Sequence, residues 1–481
     1  MEIRTRIAPS PTGKPHIGTI YSALLDYAFA KKKKGRFLIR IEDTDRERFV
    51  EGAEKALYKA LDWFGLNEDE SPRKGGRHDP YRQSERLEIY KRYAQKLIKE
   101  GSAYYCFCSK KRLENLRKRQ QKQGKPPKYD KFCFKLNPKK AIGKVEKGEP
   151  YVVRLNVPQN KTIVVNDLIR GKIKFDSNTV DDCVLLKSDG YPTYHLAATV
   201  DDCLMKISHI VRGEEWLSSS PKHVLLWQYF GWKMPPIVHT PTLRAQDKSK
   251  LSKRKGHTNV DWYKKQGFLP EAILNFLALL GWSHPKGKEV FSLKEFIKYF
   301  DLADLSPIGP VFNEEKLRWL NGVYIRKMPD QQLAKLLKPY LEVKISDKDL
   351  VKLASITKER IEVLSDIKEM AFFLKPLKKF DKKLVFAQAK KDKKKITNLV
   401  KRTTENLKKI PESKWSAGNL EKALRKLRDE FADWKTREVF MIIRVIATGR
   451  QVSPPLFESM EILGKKRTVE RFEKTRKLLN S

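Results

Sequence analysis

Ile3, Thr5 and Ile7 face one way in a period of two, which predicts a short buried strand. IYSALLDYAFA then switches to helical spacing through Ile20, Leu24, Tyr27 and Ala28, with Gly35 as a stop. Between them lie Pro9, Ser10, Pro11, Thr12, Gly13 and Pro15, residues that turn a chain sharply. Strand, tight loop and helix N-terminus together hold phosphate at the carboxyl edge of a parallel sheet, and His16 and Gly18 fall at that helix start. A second strand, Phe37 to Ile41, delivers Glu42 and Asp43 at its end, where ligands bind in open sheets. A helix follows (EGAEKALYKALDWFGL), then a loop carrying YRQSER, then a helix to about Gly101. Period two returns between Tyr151 and Leu186 (YVVRLNV, KTIVVNDL, GKIKF, DDCVLLKS). Beyond Gly256 the pattern is helical: amphipathic segments first, Asn313 capping EEKLRWLNG, then from Val323 a lysine-rich all-helical end. Pro376 and the following KKFDKK predict a hinge.

A chain of 481 residues has room for several domains. Its 40% hydrophobic content contains no apolar run long enough to span a bilayer, and no leader pattern opens it, which predicts a cytoplasmic protein. The net charge of +42 suits a polyanionic partner, since each phosphate neutralised by Lys or Arg releases counterions. Five cysteines are too few and too unevenly spread for a disulfide framework. Cys106 and Cys108 are separated by one residue and Cys133 follows a charged helical stretch, which suggests a small zinc-closed finger. A structural zinc site takes four ligands, so three thiols leave one to find. Cys183 and Cys203 read as core.

The stretch DKSKLSKRKG, Asp247 to Gly256, changes the meaning of His16 and Gly18. HIGT followed far downstream by KLSKR resembles the two signatures of class I aminoacyl-tRNA synthetases. RIAPSPTG, RIEDTDRER and YPTYHLA narrow the resemblance to the bacterial-type glutamyl-tRNA synthetase family over nearly the whole chain. That resemblance implies an α/β fold, a Rossmann-type doubly wound parallel sheet split by an acceptor-end-binding insertion, followed by an all-α anticodon-binding region. The implied boundaries are 1–102 and 191–256 for the two Rossmann halves, 103–190 for the insertion, 257–322 for a stem-contact region and 323–481 for the helical end, with a break near 376.

The implied activity is glutamate activation by ATP with Mg²⁺, then transfer to the 3′ end of glutamate tRNA, in a monomer. Whether glutamine tRNA is charged too stays open. Arg6, Ala8, Ser10, Glu42, Tyr194 and Arg212 correspond to the glutamate pocket, Glu42 facing the α-ammonium. Two guanidinium forks suit a substrate with two carboxylates, and either fork fits either one. The position after Ala197 is often Asn and is Ala198 here. Thr12, His16, Gly18, Glu215, Trp216, Leu243, Lys250 and Lys253 correspond to ATP contacts. His16, Lys250 and Lys253 would stabilise the charge that develops on the phosphoryl oxygens and departing pyrophosphate. The nucleophile is already a carboxylate, so no general base is required. Many relatives place the fourth zinc ligand where this chain has Lys135, whereas a truncated paralogue uses the position of Tyr129. The expected set is therefore Cys106, Cys108, Tyr129 and Cys133. Lys358 and Arg360 lie where anticodon bases are read. Two rivals share parts of this pattern: a small-molecule nucleotidyltransferase of the same superfamily, and a tRNA-modifying glutamyl-transfer paralogue that lacks a helical end.

Overall fold

Strand β1 (Arg4–Ile7) runs into α1 (Ile17–Lys32), which returns the chain to β2 (Arg36–Ile39), parallel to β1 with Arg6 opposite Leu38. The computed structural model describes residues 2–249, 258–377, 385–386 and 393–480. It divides into two compact units, Met1–Tyr263 with Ile273–Glu314, and Lys264–Ala272 with Glu315–Ser481. Helix α1 is buried around most of its circumference, Ala23, Leu25 and Ala30 as fully as Ile20 and Leu24. A helix apolar on all sides belongs inside a layered fold rather than on its surface. Helices α2 (Ala53–Phe64) and α3 (Leu87–Lys99) are amphipathic and bury one face each.

The segment between the two halves of this fold is antiparallel. Strands β3 (Ala103–Cys106), β4 (Val152–Leu155) and β7 (Val184–Leu186) make one sheet, with α4 (Lys110–Lys122) and α5 (Pro138–Glu146) between β3 and β4. Strands β5 (Thr162–Asp167) and β6 (Gly171–Asp176) form a hairpin. The chain then passes through α6 (Tyr194–Leu204), β8 (Ile210–Gly213), α7 (Ser220–Tyr229) and β9 (Ile237–Thr240). β8 and β9 are parallel, and β8 adjoins β1 through the Ser208 N–H to Arg4 C=O bond of 2.9 Å. The β5–β6 hairpin joins this sheet, because Asp167 pairs with Ile237 to give the order β6-β5-β9-β8.

The second unit is helical among its described residues, around two apolar clusters. One includes Leu333, Leu353, Ile361 and Phe373, the other Leu399, Leu424, Ile442 and Phe472. Arg471 is buried in this unit with no carboxylate among its hydrogen-bond acceptors in the described residues. Its guanidinium donates to the carbonyls of Phe373 (2.7 Å), Lys375 (2.9 Å) and Ala447, and burial lowers its pKa to about 10. The predicted hinge segment KKFDKK lies outside the described residues. No helix is long and apolar enough to cross a membrane among the described residues.

One buried ion pair pins β1 to the loop after α2. Arg4 grips Glu70 through two 2.8 Å hydrogen bonds, and Tyr81 donates to the same carboxylate. Burial alone would raise the Glu70 carboxyl, but the bonds from Arg4 and Tyr81 outweigh it and hold it at about 2. A carboxyl lowered on folding stabilises the fold above its unfolded pKa, about 4.3, and that contribution fades as pH falls through the folded value. Glu70→Gln should therefore cost about 3 kcal/mol or more near neutrality, by leaving Arg4 without its buried counter-charge and with only the half-exposed Glu2 carboxylate at 3.6 Å. Denaturation midpoints of the two proteins should converge as pH drops toward 2. A gap indifferent to pH would contradict this reading.

Candidate active site

The loop after β1 ends at His16, the N-cap of α1 in extended conformation, whose Nδ1 accepts the Gly18 N–H at 2.9 Å. This fixes Nδ1 as an acceptor and leaves Nε2 to carry the proton of a neutral ring. A Cβ on residue 18 would lie 3.1 Å from His16 Nδ1, so glycine keeps the capping geometry open. No acidic side chain occupies the first turn of α1, and the positive end of the helix dipole is left for an anion. The strand-like residues after the lysine loop close on this turn: Ile17 N–H donates to Thr258 C=O at 2.7 Å, and His16 bridges Asn259. Lys250 and Lys253 themselves lie outside the described residues.

His16 and Gly18 stand at one side of a cavity of about 480 Å³. Arg6, Ala8, Ser10 and Glu42 line it from the ends of β1 and β2, Tyr194 and Arg212 from α6 and β8, and Glu215, Trp216 and Leu243 from the segments beyond β8 and β9. Thr12 faces a separate hollow beside Glu54 and Leu57. Ala198 is buried in α6. Asp43 turns away to hold Ser84 through its N–H (2.8 Å) and hydroxyl (2.6 Å).

The two arginines differ in electrostatic standing. Arg6 is clamped by Asp202, Nε to Oδ1 at 2.9 Å and Nη2 to Oδ2 at 3.1 Å, and Nη1 donates to Val211 C=O at 3.0 Å. Three of its five donors are thereby used. Asp202 is shared with Arg40, at 2.7 Å, and Arg40 in turn reaches Glu42 at 3.0 Å. Burial pushes Glu42 upward, while Arg40 and Arg6 pull against it. Arg212 instead touches neutral groups. Nε donates to His239 Nε2 (3.0 Å), Nη1 to Tyr194 Oη (3.2 Å) and Nη2 to Ser220 Oγ (2.8 Å), and His223 Nε2 lies 3.4 Å from Nη1. Burial drives the His223 and His195 pKa values down, the latter to about 3, so these rings add no charge. The result is a buried guanidinium whose surroundings hold its shape without neutralising it. Tyr194 continues to Trp216, with ring centroids 4.3 Å apart, and the indole stands half-exposed at the mouth.

Away from this cavity the three thiols meet. The sulfurs of Cys106, Cys108 and Cys133 lie within 4.8 Å of one another. Tyr129 Oη is 3.3 Å from both Cys106 Sγ and Cys108 Sγ, and Cys108 and Cys133 are 3.5 Å apart. A tetrahedral zinc with Zn–S bonds of 2.3 Å separates its sulfurs by about 3.8 Å, so the four donors fit that ion. Lys135 is exposed. In the helical unit, Lys358 pairs with Asp330 at 2.8 Å and the exposed Arg360 donates to Ser453 C=O at 3.1 Å.

Sequence reasoning did not single out Arg40, Asp202, His239 or Asp167. A trace was present: Asp201 and Asp202 interrupt the apolar helix LAATVDDCLM, and acids rarely enter a core unpaired. The partners they serve are far away in sequence.

Residues 2–319 match the family of tRNA synthetases class I (E and Q), catalytic domain, and residues 332–476 match an anticodon binding domain. Fold and cavity thus define a class I aminoacyl-tRNA synthetase. A glutamate–tRNA ligase of Acidothermus cellulolyticus is 44% identical over 98% of this chain and 95% of its own length. That of Thermus thermophilus is also 44% identical, over 98% and 99%. The crystal structure of a glutamate tRNA ligase from Elizabethkingia meningosepticum in complex with its amino acid superposes with a TM-score of 0.91, at 35% identity, covering 100% of both chains. The chain belongs to the glutamate–tRNA ligase family.

Removing the shared carboxylate should expose how much these charges depend on it. Asp202→Asn leaves Arg6 and Arg40 competing for fewer acceptors, a loss of about 3–5 kcal/mol for a broken buried pair. The denaturation midpoint should fall accordingly. A midpoint equal to that of the parent protein would show that the cluster carries no such load.

Proposed function

We propose that Arg212 receives the side-chain carboxylate of L-glutamate and that this contact selects the substrate. The observation that carries the reading is the set of neutral partners around a buried cation. A carboxylate there gains a charge-assisted, two-pronged bond, whereas the amide of glutamine would leave the cation uncompensated. Glu42 then faces the α-ammonium, and the two free N–H groups of Arg6 are left to orient the α-carboxylate. Ala8 and Ser10 complete the pocket walls. ATP lies along the segment from Leu243 and Trp216 to the α1 N-terminus, with Gly18 admitting its phosphates, Glu215 and Thr12 near its edges, and Mg²⁺ carried by the nucleotide.

In the first step an α-carboxylate oxygen bonds to the α-phosphorus and the bond to pyrophosphate breaks, giving glutamyl-adenylate. His16, from its protonated Nε2, together with Lys250 and Lys253, stabilises the charge that grows on the phosphoryl oxygens. In the second step a terminal ribose hydroxyl of glutamate tRNA takes the glutamyl group and AMP leaves. Segment 103–190 receives the acceptor end, 257–322 the stem and 323–481 the anticodon, with Lys358 and Arg360 at that last contact. This is a cytoplasmic, monomeric enzyme in our reading. One structural Zn²⁺ held by Cys106, Cys108, Tyr129 and Cys133 would tie the β3 end to the turn at Phe132–Lys135.

Charging assays test the assignment. Arg212→Gln should raise the KM for glutamate about 10²-fold, the scale of a lost buried charge-assisted bond, and erase discrimination against glutamine. An unchanged KM would refute it. Lys253→Ala should lower the rate of adenylate formation by about 10²-fold or more with little change in glutamate KM, as expected of a contact made in the transition state. A pure binding defect would contradict that role. Metal analysis should find one zinc per chain, reduced in Tyr129→Phe. Protein purified without stoichiometric metal would remove zinc from the account.

A further inference from the structure

Arg212 is linked through His239 to a residue of the inserted hairpin. Asp167 ends β5 and its Oδ1 accepts the Ile169 and Arg170 N–H groups, each at 3.0 Å. Its other oxygen accepts the His239 backbone N–H at 2.9 Å and lies 2.7 Å from His239 Nδ1. The far side of the same ring, Nε2, faces Arg212 Nε at 3.0 Å. A guanidinium N–H is always a donor, so His239 Nε2 has to be an acceptor. Its single proton then sits on Nδ1, the nitrogen that Asp167 holds. Asp167 and His239 are both buried, and the ring is closed in on both edges.

We infer that Asp167 and His239 are positioning residues for substrate recognition: Asp167 fixes the tautomer of His239, and His239 fixes the plane of the Arg212 guanidinium against the carboxylate it binds. This rests on the reading that Arg212 binds the glutamate side chain. The arrangement parallels a carboxylate that orients a catalytic imidazole, where replacing acid by amide admits the wrong tautomer. Here the wrong tautomer would set Nε2–H against Arg212 Nε–H and turn the fork out of register. It also gives a role to the junction of the β5–β6 hairpin with the nucleotide sheet at Asp167 and Ile237: β5, the neighbour of β9 in that sheet, supplies the acid that holds His239.

The test is steady-state charging of glutamate tRNA by the full-length protein carrying His239→Phe, His239→Gln or Asp167→Asn, with Arg212→Gln as reference. His239→Phe keeps an aromatic ring and removes the acceptor. It should raise glutamate KM by about 10- to 30-fold, one lost charge-assisted bond, while ATP KM stays within about twofold. His239→Gln, whose amide can accept and donate at once, should recover most of that loss. Asp167→Asn should raise glutamate KM and weaken discrimination against glutamine. If Arg212→Gln loses glutamate while His239→Phe and Asp167→Asn bind it as the parent does, the positioning role is wrong and the arginine assignment stands. If Arg212→Gln itself binds glutamate normally, the underlying reading falls. Should the variants not fold, ¹⁵N-histidine spectra of the parent protein decide. A neutral His239 protonated on Nδ1 supports the inference, and an Nε2–H tautomer or an imidazolium at pH 7 overturns it.

Discussion

A guanidinium withdrawn from water has to be paired, hydrogen-bonded or both, and four buried arginines organise the catalytic unit around that demand. Arg4 and Arg40 are closed by Glu70 and by Asp202 with Glu42. Arg6 is closed on one side by Asp202. Arg212 has hydrogen bonds but a neutral set of partners. The strands β1, β2 and β8 each deliver at least one of these groups, so the sheet and the charge pattern specify one another. Of these four, Arg212 alone lines the cavity with neutral groups as its direct partners.

Neutral surroundings matter as much as the charge. Water at Arg212 would screen the cation and let an amide compete with a carboxylate. Instead imidazoles, a phenol and a hydroxyl pack around it, burial keeps His223 and His195 uncharged, and Trp216 stands at the mouth.

Local pattern carried much of this in the sequence. The alternation at Ile3, Thr5 and Ile7 and the helical spacing after Gly18 gave the first strand and helix, and Pro and Gly marked the loop between them. The four strands between Tyr151 and Leu186 were legible for the same reason. The residues Arg6, Glu42, Tyr194 and Arg212 were reached through resemblance, and the structure brings them to one cavity. What periodicity cannot carry is pairing at a distance. That Arg6 spends its fork on Asp202, 196 positions away, or that Asp167 stands behind His239, 72 positions away, follows from tertiary geometry alone. The finger shows the intermediate case: the thiols were visible in the sequence, Tyr129 was reached through resemblance, and the structure places its hydroxyl 3.3 Å from both Cys106 Sγ and Cys108 Sγ.

The central claim is the assignment of the substrate's side-chain carboxylate to Arg212, and a crystal structure with a non-hydrolysable glutamyl-adenylate analogue reads it directly. Both side-chain oxygens should lie about 2.8 Å from the Arg212 guanidinium, the range of charge-assisted bonds, with the ammonium beside Glu42. A side-chain carboxylate seated on Arg6, with Arg212 facing the backbone of the substrate or left without an anion, would contradict the account.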